Sequence, residues 1–232
     1  MPRPVEHHDS RAQYSPRHLD AVFFVGDSNT FGWRDDDVGG WPTRLITSMT
    51  NRHTVTAYNL GVRGDTSRSI LARWREEVGR RRQAAHSAIV FAFGANDAKL
   101  YPDGTPFVPL EETHRNTAAI LASAKKDHDV LMIGPAPIDE ATLARVLNPS
   151  GSDPVPTNRQ VVKVAGILRE EAARAGVPFL DIAAALAAND DWFAALRETD
   201  GIHPPGRGHD MIAALVSTWS PWVGLFDADK GA

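Results

Sequence analysis

Short apolar runs alternate with longer amphipathic stretches along most of the chain. Five short runs have the composition of β-strands: Ala21–Val25, Thr54–Leu60, Ser87–Phe93, Val130–Ile133 and Val177–Ile182. Five amphipathic stretches between and after them predict helices: Trp41–Asn51, Thr66–Arg82, Leu110–Lys126, Thr157–Ala175 and Pro205–Trp219. The first and third apolar runs are hydrophobic almost throughout, which is typical of strands buried on both faces.

Strands that alternate with helices predict a mainly parallel sheet with helices on both faces, a three-layer α/β/α sandwich. Active sites in such sheets lie beyond the carboxyl ends of the strands, so we expect each catalytic residue to follow a strand. Residues 21–232 are predicted to form a single domain. Residues 1–20 are predicted to form a polar N-terminal arm, which is either loosely ordered or packed on a partner subunit. The stretch from Pro135 to Pro156 is predicted to be an irregular surface loop or flap beside the site.

Composition excludes several classes of protein. The chain has 29 acidic and 25 basic residues and a formal net charge of -4, so it offers no strongly basic surface for nucleic acid. It has no cysteine, which excludes disulfides, thiolate metal sites and a cysteine nucleophile. Neither a secretory signal nor an apolar run of about 20 residues is present, so we expect no membrane span and a cytoplasmic protein.

The first candidate segment for chemistry is Gly26-Asp27-Ser28-Asn29-Thr30, directly after the first predicted strand. A serine in a tight strand-to-helix turn presents its Oγ at the sheet edge, where the start of the helix offers N–H groups to an anion. The alternative is a plain helix cap, because Asp, Ser and Asn are common at that position. The Gly-x-Ser-x-Gly motif of α/β-hydrolases is absent from the chain.

Two further segments follow the second and third predicted strands. Asn59–Thr66 contains Gly64, which can expose its N–H to a ligand without hindrance from a Cβ, or can be an ordinary turn glycine. Gly94-Ala95-Asn96-Asp97 contains Asn96, whose side-chain amide can donate to an oxyanion, or can close an Asx-turn.

The fourth segment is Asp200-Gly201-Ile202-His203-Pro204, just before the last predicted helix. Asp200 can accept a hydrogen bond from Nδ1–H of His203, which leaves Nε2 to take a proton from a serine. The alternative is a capping aspartate beside an incidental surface histidine.

Together the four segments resemble the SGNH hydrolases, also called GDSL-type esterases and lipases. The resemblance rests on Gly26-Asp27-Ser28, Gly64, Gly94-Ala95-Asn96-Asp97 and Asp200-Gly201-Ile202-His203-Pro204, which follow the family's order between Ala21 and about Val223. One departure is Asn29, where the four-letter GDSL name has leucine; this position performs no covalent chemistry.

The resemblance implies a flavodoxin-like sandwich and a role for each residue. Ser28 would be the nucleophile, His203 the general base and acid, and Asp200 the orienting carboxylate. The backbone N–H groups of Ser28 and Gly64 and the side chain of Asn96 would form the oxyanion hole. Neither a metal nor an organic cofactor is required by this scheme.

The expected activity is hydrolysis of small-molecule carboxylic esters with short acyl chains. An acyltransferase or a carbohydrate deacetylase with the same triad remains open, because sequence does not show how a pocket excludes water or holds an acceptor. A different class is a phosphate- or flavin-binding flavodoxin-like module that uses Ser28, Asn29 and Thr30, although it leaves Asp200 and His203 without a role. A homo-oligomer and a monomer both remain open.

Several other residues are interpreted as ordinary. Asp35-Asp36-Asp37 is predicted to be a solvated loop rather than a cation site, and His209 an ordinary helix residue rather than a metal ligand. Trp33 and Trp192 either wall the substrate pocket or pack in the core. Phe107–Leu110 is an apolar cluster that either forms a substrate wall or an oligomer contact.

Overall fold

The structure is a computed structural model that describes residues 19–49, 55–81 and 86–226. Residues 1–18 of the predicted arm lie outside the described residues. The predicted helix ends at Asn51 and Arg82 also lie outside them. The predicted strand start at Thr54 also lies outside them.

The described residues alternate between strands and helices in the predicted order. The strands are β1 (Ala21–Gly26), β2 (Thr56–Gly61), β3 (Ser87–Ala92), β4 (Lys99–Leu100), β5 (Asp129–Ile133), β6 (Val155–Pro156) and β7 (Phe179–Leu180). The helices are α1 (Ser28–Phe31), α2 (Trp41–Met49), α3 (Ser67–Arg81), α4 (Leu110–Ala124), α5 (Glu140–Val146), α6 (Asn158–Ala175), α7 (Ile182–Leu186), α8 (Asp190–Arg197), α9 (Gly206–Ser217) and α10 (Ser220–Gly224).

Five strands form one parallel sheet in the order β2-β1-β3-β5-β7. When the five strands of this sheet are numbered 1 to 5 in chain order, their order is 2-1-3-4-5, as in flavodoxin. The switch point of this arrangement lies between the first and third strands. The register pairs Val25 of β1 with Leu60 of β2 and with Phe91 of β3, so these strands end at the same edge. A separate antiparallel pair joins β4 to β6.

Alternate side chains of each central strand enter two different cores. On one face Phe23 and Val25 pack in a cluster that includes residues of α3, α4 and α6. On the other face Val22 and Phe24 pack in a cluster that includes residues of α2, α8 and α9. All six residues of β1 and all six of β3 are buried, because helices cover both faces of the sheet. The predicted three-layer α/β/α sandwich is therefore confirmed.

The stretch from Pro135 to Pro156 is not irregular throughout, so that part of the prediction is wrong. It contains α5 and ends in β6. The carboxylate of Asp139 accepts a hydrogen bond from the backbone N–H of Thr142 at 2.9 Å and so caps the helix. Leu143 on its inner face is buried in a small cluster with Ile138 and Ile202.

The last predicted strand, Val177–Ile182, is shorter than expected. Only Phe179–Leu180 pair with the sheet, because Asp181 caps α7 by accepting a hydrogen bond from the N–H of Ala184 at 3.0 Å. Asn189 caps α8 in the same manner through the N–H of Trp192 at 2.9 Å. These two short helices were not predicted, nor was α10. No helix within residues 19–49, 55–81 and 86–226 has the length and apolar character that spanning a bilayer requires.

Candidate active site

An open cleft of about 530 Å³ lies at the carboxyl edge of the sheet, and all five predicted site residues line it. Ser28 comes directly after β1, Gly64 after β2 and Asn96 after β3. Asp200 and His203 lie in the loop between α8 and α9, so the expectation that every site residue follows a strand is wrong for these two. The helices α8 and α9 contact each other, and both contribute residues to the core on one face of the sheet.

The turn that presents Ser28 depends on close packing at Gly26. A Cβ on Gly26 would lie 2.1 Å from the carbonyl oxygen of Ala92, so no larger residue fits there. Asp27 caps α1 by accepting a hydrogen bond from the N–H of Asn29 at 3.0 Å. Burial raises the pKa of Asp27 to about 7. Ser28 is consequently the first residue of α1, with its side chain directed into the cleft.

Ser28, His203 and Asp200 form a continuous chain of hydrogen bonds. Nε2 of His203 lies 2.8 Å from Oγ of Ser28. On the other side of the ring, Nδ1 of His203 lies 2.9 Å from Oδ2 of Asp200. Because an ionised carboxylate only accepts hydrogen bonds, Asp200 fixes the proton on Nδ1 and leaves Nε2 free to accept from the serine hydroxyl.

Asp200 is buried, and each of its carboxylate oxygens accepts hydrogen bonds. Its Oδ1 accepts from the backbone N–H of Ile202 at 3.2 Å and of His203 at 2.9 Å. Its Oδ2 accepts from Nε of Arg34 at 3.3 Å as well as from the imidazole. Although burial opposes ionisation, hydrogen bonds and charge from His203 and the two backbone N–H bonds lower the pKa of Asp200 to about 2. The carboxylate is therefore ionised at neutral pH.

Three potential donors face the space beside Ser28. The N–H groups of Ser28 and Gly64 donate to no acceptor within the described part of the chain. Gly64 has φ +84°, and a Cβ there would meet nothing within 4 Å, which is consistent with its position on the open cleft. One amide hydrogen of Asn96 is used, because Nδ2 donates to the carbonyl of Asp65 at 2.9 Å, and the second is free.

Asp97 fixes the loop that carries Gly64. Its Oδ2 accepts from the backbone N–H of Ser67 at 2.9 Å, and its Oδ1 accepts from Oγ1 of Thr113 at 3.1 Å. Asp97 is buried, and burial raises the pKa of its carboxyl group. The contacts join the third segment to the start of α3 and so hold Gly64 and Asn96 on the same side of the cleft.

The stretch after β5 forms one wall of the cleft, as predicted for a flap beside the site. Leu143 and Leu147 of this stretch line the cleft, and so do residues 153–156. Its helix packs on Gly201, where a Cβ would lie 2.5 Å from the backbone nitrogen of Leu143. The N–H of Asp139 also donates to the carbonyl of Gly201 at 2.8 Å. The wall is thus attached directly to the loop that carries His203.

Three cationic side chains in the cleft were missed by the sequence analysis: Arg34, Arg63 and Lys99. Arg34 has φ +72°, an unusual conformation for a residue other than glycine that only a structure reveals. A weak signal for the other two was available, because Arg63 directly precedes Gly64 and Lys99 follows Asn96 by three positions.

Trp33 and Trp192, each predicted to lie either in the pocket wall or in the core, differ in position. Trp33 lines the cleft. Trp192 is fully buried, and its Nε1 donates to the carbonyl of Pro137 at 2.9 Å. Of the apolar cluster at Phe107–Leu110, Val108 is fully buried, and none of the four residues lines this cleft.

Asp35 is buried, so the interpretation of residues 35–37 as a solvated loop is wrong at its first position. Arg44 binds its carboxylate, which explains how an acidic residue is accommodated there. His209 is an α9 residue as expected but is fully buried, and burial lowers its pKa to about 4. Within the described residues no three His, Asp or Glu side chains form a cluster suited to a metal ion.

Comparison with known proteins gives a family match. The model of the GDSL-like Lipase/Acylhydrolase family matches residues 24–211, a range that contains all five residues of the predicted site. A comparison with curated proteins gives no match by sequence.

Solved structures share the fold at low sequence identity. The lipase/acylhydrolase from Enterococcus faecalis is 21% identical with a TM-score of 0.70, covering 92% of this chain and 100% of that chain. A catalytic mutant of Axe2, an acetylxylan esterase from Geobacillus stearothermophilus, is 18% identical with a TM-score of 0.64. The match covers 85% of this chain and 92% of that chain. TesA is 19% identical with a TM-score of 0.65, covering 89% and 99%.

Proposed function

The chain belongs to the GDSL-like lipase/acylhydrolase family, and from this premise we propose that it hydrolyses carboxylic esters through an acyl-enzyme on Ser28. The observation that carries the proposal is the chain of hydrogen bonds from Asp200 through His203 to Ser28, with heavy-atom separations of 2.9 and 2.8 Å. We also propose that residues 21–232 form one catalytic domain.

In the acylation step, Nε2 of His203 removes the proton of the Ser28 hydroxyl as Oγ attacks the ester carbonyl. General-base assistance of this kind contributes about 10²–10⁴ in rate. The carbonyl oxygen acquires negative charge, which the N–H groups of Ser28 and Gly64 and the amide of Asn96 stabilise. Each such donor typically contributes about 10²–10³.

Collapse of the tetrahedral intermediate breaks the bond to the leaving alcohol, which receives the proton from His203. Water then enters, His203 removes its proton, and the hydroxide equivalent attacks the acyl carbonyl. The second intermediate releases the carboxylic acid and returns the proton to Oγ of Ser28. Asp200 remains ionised through both steps and stabilises the imidazolium that forms in each.

Short acyl chains fit the cleft better than long ones. Its apolar lining comes from a few residues that are interspersed with charged ones: Trp33, Leu143, Leu147, Pro154, Val155, Pro156 and Ile202. The cleft is also lined by the charged side chains of Arg34, Arg63 and Lys99, and contact with them would cost free energy for a long alkyl chain.

The test is hydrolysis of p-nitrophenyl acetate, butyrate and octanoate by wild type and Ser28→Ala, with intact mass measured after a fluorophosphonate probe. We expect turnover that is highest for the short esters and a single adduct, both of which disappear in Ser28→Ala. Ser217→Ala is the matched control, because Ser217 is an exposed serine at the end of α9.

Undiminished hydrolysis by folded Ser28→Ala would contradict the assignment of the nucleophile. An adduct on Ser28 without turnover of the simple esters would retain the triad and indicate a specialised substrate or an acyl acceptor. Neither adduct nor turnover from folded wild type would favour a phosphate- or flavin-binding module instead. A preference for octanoate would contradict the short-chain proposal alone.

A further inference from the structure

Two guanidinium groups lie against one aromatic ring at the edge of the cleft. Cζ of Arg63 is 3.3 Å from the centroid of the Trp33 ring, and Cζ of Arg34 is 5.6 Å from the same centroid. Contacts of this kind hold a cation in place without neutralising it. Arg63 forms no ion pair with any carboxylate in residues 19–49, 55–81 and 86–226, so its positive charge is available to a ligand.

Lys99 supplies a third cation on another wall of the cleft. It belongs to β4, which pairs with β6 of the flap, and its side chain is half-buried. Nζ lies 5.9 Å from the centroid of the Phe107 ring, and no carboxylate of the described residues pairs with it. Burial lowers the pKa of Lys99, because removing an ammonium group from water costs free energy. An anionic ligand would reduce that cost.

The negative charges that face the same cleft do not cancel these cations. Asp200 is already bound to His203 and to Arg34, so it neutralises Arg34 in part. Asp153 lines the cleft, but it is an exposed residue on the flap. Asp27 interacts with Lys99 through charge, although burial raises the pKa of Asp27 to about 7 and so diminishes its ionisation. Arg63 and Lys99 remain without a bound carboxylate.

We infer that the substrate is an anionic ester, whose carboxylate or phosphate group binds in the cleft lined by Arg63 and Lys99 while the ester carbonyl lies at Ser28. This inference rests on the proposed function of the same site and names its substrate class. The apolar side chains of Leu143 and Ile202 on the flap side would contact the uncharged part of the same molecule. The anion can belong either to the acyl part or to the alcohol part of the ester, and the two cases differ in the products released.

Two pairs of nearly isosteric esters test the inference by the ratio of kcat/KM for the charged and neutral member. For the acyl side the pair is the ethyl half-ester of glutaric acid and its neutral ethyl glutaramate analogue. For the alcohol side the pair is para-acetoxybenzoate and para-acetoxybenzamide. Because a charge-assisted hydrogen bond changes binding by about tenfold or more, we expect the charged member of one pair to be preferred by about that factor.

Arg63→Gln and Lys99→Gln should each reduce this ratio severalfold, and about 1 M NaCl should reduce it in wild type, where the Debye length falls to about 3 Å. The matched control is Arg80→Gln, which removes the same charge from an exposed position of α3 that pairs with Glu76. The control should leave the ratio unchanged. A ratio near one for both pairs, or a high ratio that survives both cleft substitutions, would overturn the inference.

Failure of the proposed function gives a different result, because wild type would then turn over none of the four esters. In that case calorimetric titration with glutarate tests whether the cleft binds an anion. Glutarate that binds wild type and Arg80→Gln but binds Arg63→Gln severalfold more weakly would support an anion site. Absence of binding to wild type would overturn it.

Discussion

Replacing Asp35 with asparagine perturbs the loop that carries Trp33 and Arg34 into the cleft. The carboxylate of Asp35 accepts hydrogen bonds from Nη2 of Arg44 at 2.8 Å and from Nε of Arg44 at 3.2 Å. It also accepts from the backbone N–H of Gly40 at 2.8 Å, which joins the end of the loop to its middle. An asparagine retains the shape but loses the charge and directs one N–H₂ group toward a cationic partner.

The magnitude follows from the pKa of Asp35, which these donors lower from 3.8 to about 2 against the opposing effect of burial. At about 1.4 kcal/mol for each pKa unit, ionisation of the group contributes about 2 kcal/mol to stability. The side chain is fully buried, so solvent screening takes little from this value. Because the variant also leaves the partly buried guanidinium of Arg44 with Asp210 as its remaining carboxylate partner, we expect Asp35→Asn to lose about 2–4 kcal/mol at neutral pH.

The pH dependence has a definite sign. The folded-state pKa of Asp35 lies below the unfolded value, so the contribution is complete above about pH 4 and is lost as the pH falls through about 2. Urea unfolding of wild type and Asp35→Asn at about pH 7 and about pH 3 should therefore give a difference in free energy that is about 1 kcal/mol smaller at the lower pH.

The neighbouring acid is a matched control for this experiment. Asp36 is exposed, so Asp36→Asn should stay within about 0.5 kcal/mol of wild type at both pH values. An Asp35→Asn variant as stable as Asp36→Asn would refute the reasoning. So would a destabilisation that is the same at both pH values, because it would show that the charge of Asp35 contributes nothing.

Two other variants test the roles assigned around Ser28. Asn96→Ala should reduce kcat by about 10²–10³ with little change in KM, because the amide is proposed to stabilise charge that develops in the transition state. Kinetics with p-nitrophenyl acetate measure both constants. A kcat within about threefold of wild type would contradict the proposed role. Asp200→Asn should retain more kcat/KM than His203→Ala, because the asparagine variant misorients the imidazole base whereas alanine removes it. The reverse order would contradict the assignment.

Much of the sheet and its edge was predictable from short-range pattern. β1 and β3 are hydrophobic runs buried on both faces, and a strand of that kind requires helices above and below it. Ser28, Gly64 and Asn96 directly follow strands, so a parallel sheet alone is sufficient to bring them together. The family match confirms the resemblance that was drawn from the four segments.

The features that were missed depend on contacts between distant parts of the chain. α5 is seven residues long, too short for a helical period to stand out, and it is stabilised where Gly201 permits close approach. Arg34 reaches Asp200 across 166 positions from a backbone conformation that sequence does not indicate. Asp35 belongs to an acidic run that resembles a solvated loop, and only its pairing with Arg44 shows why it is buried.

The proposed oxyanion site raises an electrostatic conflict, because negative charge would develop near the buried carboxyl groups of Asp27, Asp65 and Asp97. Each is balanced differently. Asp65 forms an ion pair with Arg73 at 2.5 Å. Asp97 accepts two hydrogen bonds, and burial raises its pKa, as it raises that of Asp27 to about 7. These effects reduce the negative field at the proposed oxyanion donors, and the unpaired cations Arg63 and Lys99 in the cleft oppose the remaining negative field. The same cations that would select an anionic substrate therefore also favour the charge distribution of the reaction.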